Sequence, residues 1–425
     1  MIWRGIYLTL LLILAAGCSL GAPPVATPPT PNVSAPPPMA TPTGEATSTP
    51  AGPVTLHLWL PPEFDPGADN QAGQILKQRL DEFTQRRSGI RVEVRLKALA
   101  GAGGLLDSLT TASAVAPLAL PDLVALPRPI LETAALKGLV RPLVYLNDPI
   151  DDTDWYAYAI QLARVQESTF GIPFAGDALL LVYRPSIVGL PPADLDAALQ
   201  AGGPLAFPAA DPQALFTLAL YQAAGGAVRD DQGRPTLQAD VLERVLSFYL
   251  EASQAELIPF WMTQFQNDGE SWQAFVEQRA PMVITWASRY LKERQPDMDA
   301  APLPTLTGKD FTLASGWVWA LAASDPQRQQ LSTELGEYLS AADFLAQWNT
   351  ATGYLPTRSG ALQSWSDAAV RALARQVVNS AQLYPSEDLL TSLMPALEKA
   401  TIEVLKQETD PQTAAQEAAQ SLVLP

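Results

Sequence analysis

An uninterrupted apolar run, Leu179-Leu180-Leu181-Val182-Tyr183, follows directly on Gly176-Asp177-Ala178, and this juxtaposition restricts the chain more than any other. A run so rich in branched residues reads as a strand buried on both faces. A carboxylate at the mouth of such a strand is costly unless something pairs with it. Two readings account for Asp177. It caps a turn beside Gly176, or the chain here crosses from one α/β lobe to another and Asp177 faces the crevice between them.

The 425 residues suffice for two full hydrophobic cores, and 48% of them are apolar. The formal net charge of −17 and the lack of any basic stripe exclude nucleic acid as a partner. A single Cys and a single His leave no Cys/His metal site. A Ser-His-Asp triad would have to use His57, which lies inside the alternating run Val54–Trp59 and reads as a strand residue. The chain is therefore expected to work without a metal or a cofactor.

Residues 1–17 read as an export leader. Arg4 supplies the positive start, and Ile6–Leu14 is an apolar core too short to span a membrane. The sequence Leu14-Ala15-Ala16-Gly17-Cys18 resembles a bacterial lipoprotein box, which implies that Cys18 is lipidated and becomes the first residue of the mature chain. Several acyl chains on one residue give lasting membrane attachment, at roughly 0.8 kcal/mol per buried CH₂. The other reading is a secreted protein with one unpaired thiol. Residues 18–53 form a Pro-, Thr- and Ala-rich tether whose only charge is Glu45. Such a segment buries too little to offset the entropy of folding. In polyproline II form it would reach roughly 100 Å.

From Val54 the pattern alternates. Val54–Trp59 is a strand, Gln71–Arg87 an amphipathic helix stopped by Gly89, and Arg91–Leu96 a strand with one wet face. A helix at Leu105–Ser113 and a buried strand at Pro121–Leu126 follow. This order predicts a parallel sheet covered by helices, with ligands beyond the carboxyl ends of the strands, near Trp59–Glu63 and Leu126–Arg128. Beyond the Asp177 stretch a second α/β unit begins, with strands at Leu205–Phe207 and Met282–Trp286. Ala300–Pro304 reads as the return crossing, followed by a strand at Trp317–Ala322. Gly353–Arg358 interrupts the closing helices, and Asp151-Asp152-Asp154 reads as a solvated helix start.

The order of these landmarks resembles the family-1 extracellular solute-binding proteins of ABC transporters, which include the maltose-type receptors. The resemblance is carried by the strand ending in Trp59, Pro121-Asp122, Gly138–Leu143, Gly171-Ile172-Pro173 and Leu181-Val182-Tyr183-Arg184. It continues through Phe275, Met282 to Trp286, Gly316-Trp317 and Gly353-Tyr354-Leu355-Pro356. It implies an α/β, two-lobed, periplasmic-binding-protein-like fold with a ligand cleft between lobes joined by crossing segments. Lobe 1 would comprise 54–174 and 303–340, and lobe 2 would comprise 175–302 and 341–425.

By position, the resemblance implies that Glu63 and Asp177 are carboxylates binding sugar hydroxyls and that Arg128 is a polar contact. It further implies that Trp286, Arg289 and Tyr290 follow a strand that offers a stacking aromatic, and that Trp59, Trp317 and Tyr354 complete the set. Trp59, Trp261, Trp272, Trp348 and Trp365 also suit a core, whereas Trp286 and Trp317 are balanced between core and platform. The implied partners are a sugar or related polar solute, the membrane through Cys18, and the permease subunits of an importer, with the receptor acting as a monomer on the extracytoplasmic face. Two alternatives stand beside this reading. One is an anchored glycoside hydrolase using Glu63 and Asp177 as its acid and base. The other is a scaffold or signalling lipoprotein that binds no solute.

Overall fold

The computed structural model describes residues 53–150 and 153–422. The leader, Cys18 and nearly all of the tether lie outside the described residues. In chain order the strands are β1 (Val54–Leu60), β2 (Ile90–Leu96), β3 (Leu123–Pro127), β4 (Arg164–Val165), β5 (Ser168–Thr169) and β6 (Gly171–Tyr183). They continue with β7 (Leu205–Ala206), β8 (Met282–Trp286), β9 (Asp299–Ala301), β10 (Thr312–Leu321) and β11 (Ala381–Leu383). The main sheet runs β2-β1-β3-β10-β6-β8-β7.

The first half is the parallel unit that the alternation predicts. β1 pairs in parallel with both β2 and β3, and the helices Gln71–Arg86 and Leu105–Val115 make the crossovers. The first of these buries Leu76, Leu80 and Phe83, and the side chain of Asn70 accepts from Gly73 N at its start. His57 lies within β1, and its backbone N–H donates to the buried Asp122 at 2.7 Å. Among the described residues no helix is long and apolar enough to cross a membrane, and no cluster of His, Cys, Asp and Glu could hold a metal ion.

β6 and β10 join the two halves. β10 pairs antiparallel with β3 through Trp317–Leu321 and with β6 from Ala314 to Ala320. The far half of β6, Leu179–Tyr183, pairs instead with β8, which β7 flanks in parallel. Asp177 therefore sits inside a 13-residue strand rather than ahead of a shorter one, and it is the one residue of β6 that is not fully buried. The expected return at Ala300–Pro304 is displaced: Asp299–Ala301 pairs with Tyr183–Leu181 in the second half, and the return is made by β10. The short apolar pattern around Ala301 fits either role, because a three-residue pairing looks the same from sequence as the start of a longer strand.

A third backbone joins them. Gly176 N–H donates to Leu355 O at 2.8 Å, and Leu355 N–H donates to Gly176 O at 2.7 Å, while Gly176 faces Gly316 across the β6–β10 ladder. Both glycines are required by close approach. A Cβ on Gly176 would lie 2.1 Å from the Tyr158 hydroxyl, and one on Gly316 would lie 2.3 Å from Ala175 O. The expected solvated Asp151–Asp154 helix start is also replaced, for its described member. Asp154 accepts from Arg358 Nε at 2.6 Å and from Gly360 N at 2.8 Å, pinning the segment that follows Leu355.

Candidate functional site

Pro61 ends β1, and in the following 3₁₀ turn, Pro62–Phe64, Phe64 is buried while Glu63 remains accessible. Phe64 is buried against Trp317 at 4.8 Å, Trp348 at 5.2 Å, Phe174 at 5.5 Å and Tyr354 at 6.0 Å between ring centroids, all near edge-to-face. Glu63 stays partly exposed and accepts the Tyr354 hydroxyl at 2.6 Å and the Lys292 ammonium at 3.3 Å. Burial, and then the charge of Glu63, push the Tyr354 hydroxyl far above its ordinary value, so it stays protonated and donates to Glu63 while its oxygen accepts from Trp317.

Asp177 faces the helix Ala287–Glu293 that follows β8. Its carboxylate accepts Ser288 N at 3.0 Å and the Ser288 hydroxyl. Burial raises its pKa to about 7, although the Ser288 donors pull the other way. Arg289 donates Nε to Asp268 at 2.5 Å and Nη1 to Glu293 at 3.1 Å. Asp268 also accepts the Thr285 hydroxyl at 2.6 Å, and Glu293 accepts the Trp272 indole N–H at 2.6 Å. This chain of bonds fixes Asp268 in the lining of a cavity.

The cavity measures about 200 Å³. Leu179, Leu215, Phe216 and Ile284, all buried, form its apolar floor, and the partly exposed Trp286 lies beside them. Its polar lining is Asp211, Gln213, Gln266, Asn267 and Asp268. Burial, and then the neighbouring Asp268, hold the Asp211 carboxyl above the ordinary carboxylate range. An apolar floor under a few convergent polar groups is the usual make-up of a small-solute pocket. These polar residues escape a sequence reading because Asp211-Pro212 and Asn267-Asp268-Gly269 look like ordinary helix starts. Asn267 does cap the helix Asp268–Val276, accepting Glu270 N at 3.2 Å.

The expected site residues divide into three sets. Glu63, Trp317 and Tyr354 form one group around Phe64, with the Trp317 ring largely buried. Asp177, Trp286 and Arg289 form a second group around Ser288, Asp268 and the cavity. The two groups meet where Gly176 bonds Leu355. Arg128, Trp59 and Tyr290 belong to neither. Arg128 is buried, pairs with Glu132 at 2.6 Å, and donates to the carbonyls of Gln161 and Leu162 at 3.1 Å and to that of Arg164. Trp59 is buried with the Lys97 ammonium 4.7 Å from its ring, and Tyr290 is 1% exposed. Trp272, Trp348 and Trp365 are buried, as a core role requires, whereas Trp261 is only partly so.

Among curated protein sequences, none matches the chain significantly. Solved structures do. The sugar-binding protein MalE from Xanthomonas citri is 20% identical with a TM-score of 0.72, over 86% of this chain and 96% of that one. The cyclic α-maltosyl-1,6-maltose binding protein from Arthrobacter globiformis is 15% identical with a TM-score of 0.71, over 87% and 98%. The GacH receptor of Streptomyces glaucescens is 16% identical with a TM-score of 0.66, over 87% and 97%. At such identities the likeness carries the fold, which is the expected two-lobed α/β architecture. The family model of the bacterial extracellular solute-binding proteins matches residues 78–373, more than half of the chain. Crossing strands at Gly176 and Gly316, a cavity beside them and this match together make the chain a member of the bacterial extracellular solute-binding proteins.

Proposed function

We propose that the protein is the lipid-anchored receptor of an ABC importer, held to the extracytoplasmic face through Cys18, and that it binds a sugar or related polar solute between two closing lobes. One observation supports this most. The cavity joins an apolar floor and Trp286 to carboxylates and amides, and it opens beside the strand that links the halves of the sheet. A pyranose presents that same pair of surfaces, CH faces for a ring and hydroxyls for acceptors. Similar folds add support: the Streptomyces glaucescens receptor was solved with acarbose, and a cyclo/maltodextrin-binding protein with maltotetraose.

In this reading the lobes comprise 54–174 with 303–340 and 175–302 with 341–425. They pivot where Gly176, Gly316 and Leu355 lie side by side. Asp177, Trp286 and the lining of the cavity contact the solute. Glu63, Trp317 and Tyr354 line the facing wall, and Arg289 holds Asp268 in place. A solute that touches both walls only when they are shut shifts the balance towards closure. The protein binds its solute and does not cleave it. Glu63 is already engaged by Tyr354 and Lys292, which leaves it poorly placed as a general acid. Titration calorimetry of the purified protein against mono- and oligosaccharides and polyols tests the proposal. Binding in the micromolar range, about −8 kcal/mol, is expected. Absence of heat and of thermal stabilisation across the panel would overturn it.

A further inference from the structure

Resting on that reading, we propose that the solute seated in the Asp211–Asp268 cavity is an amino sugar, a saccharide carrying a protonated amine. The cavity defines the site, and its charges define the class. Its polar lining consists of two carboxylates and three amides, with no Lys or Arg among them. Asp268 is balanced by Arg289 and further satisfied by Thr285. Asp211 is not balanced. It accepts only backbone N–H groups, from Gln213 at 2.9 Å and from Leu215, and no cation pairs with it among the described residues.

The helices Leu215–Ala223 and Asp268–Val276 both begin at this cavity, and a helix start ordinarily favours an anion. Here the chain supplies the anions itself. Asp211 covers the first start, and Asp268 and Glu270 sit in the first turn of the second. Asp177 adds a further carboxyl close enough to feel Asp268, and Glu293 stands behind Arg289. Among the described residues, Arg289 is the cation bonded to these groups, and it already engages two of them. An anionic solute would meet uncompensated like charge. A neutral sugar would leave Asp211 desolvated without a counter-charge, whereas a protonated amine offers it a charge-assisted hydrogen bond. Trp286 beside the floor adds a ring face that a cation also favours.

The test compares matched saccharides on the intact protein by calorimetry: glucosamine di- and trisaccharides, the same chains N-acetylated, and glucose chains of equal length. The free amines are expected to bind at least about tenfold tighter than either neutral series. Asp211→Asn is expected to collapse that ratio towards one, and raised salt is expected to shrink it in the wild-type protein. Equal or tighter binding of the neutral series overturns the amine assignment and leaves the receptor reading standing. Silence from all three series, followed by silence across other sugars and polyols, overturns both.

Discussion

Glu63 and Lys292 lie 3.3 Å apart although they descend from opposite halves of the sheet, one just after β1 and the other in the helix that follows β8. The Tyr354 hydroxyl donates to the same Glu63 oxygen at 2.6 Å from the third linking segment. Three segments that meet nowhere else in sequence thus share one carboxylate. A group expected to hold solute is, in this arrangement, holding the protein to itself.

Lys292→Met removes the ion pair and keeps the aliphatic stem. A half-exposed pair is worth at most about 1 kcal/mol, so apparent solute affinity should fall by up to about fivefold. Small-angle scattering should show a larger radius for the unliganded variant. An unchanged radius and affinity would mean that the contact does not bias closure.

Asp177 gives the protein a pH dependence of defined sign. Its pKa in the fold, about 7, is raised by burial above the ordinary aspartate value, so the folded state holds a proton that the unfolded chain releases. The associated stability is fully present below about pH 4 and is lost as pH rises through 7. Denaturant unfolding of wild type and Asp177→Asn between pH 4 and 8 should show their difference shifting steadily in favour of the variant as pH rises. Parallel curves would contradict the assignment.

Gly176→Ala and Gly316→Ala should both destabilise, by about 1–3 kcal/mol or more. The added methyl at Gly176 meets the Tyr158 ring and hydroxyl, and the one at Gly316 meets the backbone oxygen of Ala175. A side chain can yield where a backbone oxygen cannot, so Tyr158→Phe should recover part of the first loss and none of the second. Thermal denaturation of the singles and doubles reads this directly.

Arg128→Ala should cost about 3–5 kcal/mol, because it leaves Glu132 buried without its partner. Solute affinity of the fraction that folds should match wild type. A clear affinity loss with little change in stability would return Arg128 to the binding surface.

The outcome for Arg128 illustrates what the sequence can convey. Local pattern is enough to find β1, β2 and β8, by alternation for the first two, since each is set by its own residues. Arg128 also stands where a strand gives way to a helix, a usual place for a ligand contact. What decides its role is the carboxyl end of the helix Ala157–Ala163, to whose carbonyls it donates. No local pattern encodes that meeting. Asp211 and Asn267 were hidden for a related reason: a residue that starts a helix looks the same whether its far side meets water or a cavity. Asp177 was visible because an acid inside an apolar run conflicts with its surroundings at short range. The apolar run alone marks only Leu179–Tyr183, whereas β6 begins at Gly171 and tolerates Pro173 and Gly176 as it passes from one set of neighbours to the other.

The side-by-side seating of Gly176 between Gly316 and Leu355 has a mechanical consequence. One linking strand could bend, swivel or stretch in any direction. Three laced together by main-chain bonds resist sliding and twisting and remain soft only to folding across their common width. Under the receptor reading proposed above, the loading of the crevice by a solute would therefore be converted into a change of one angle, the simplest quantity a membrane partner could read.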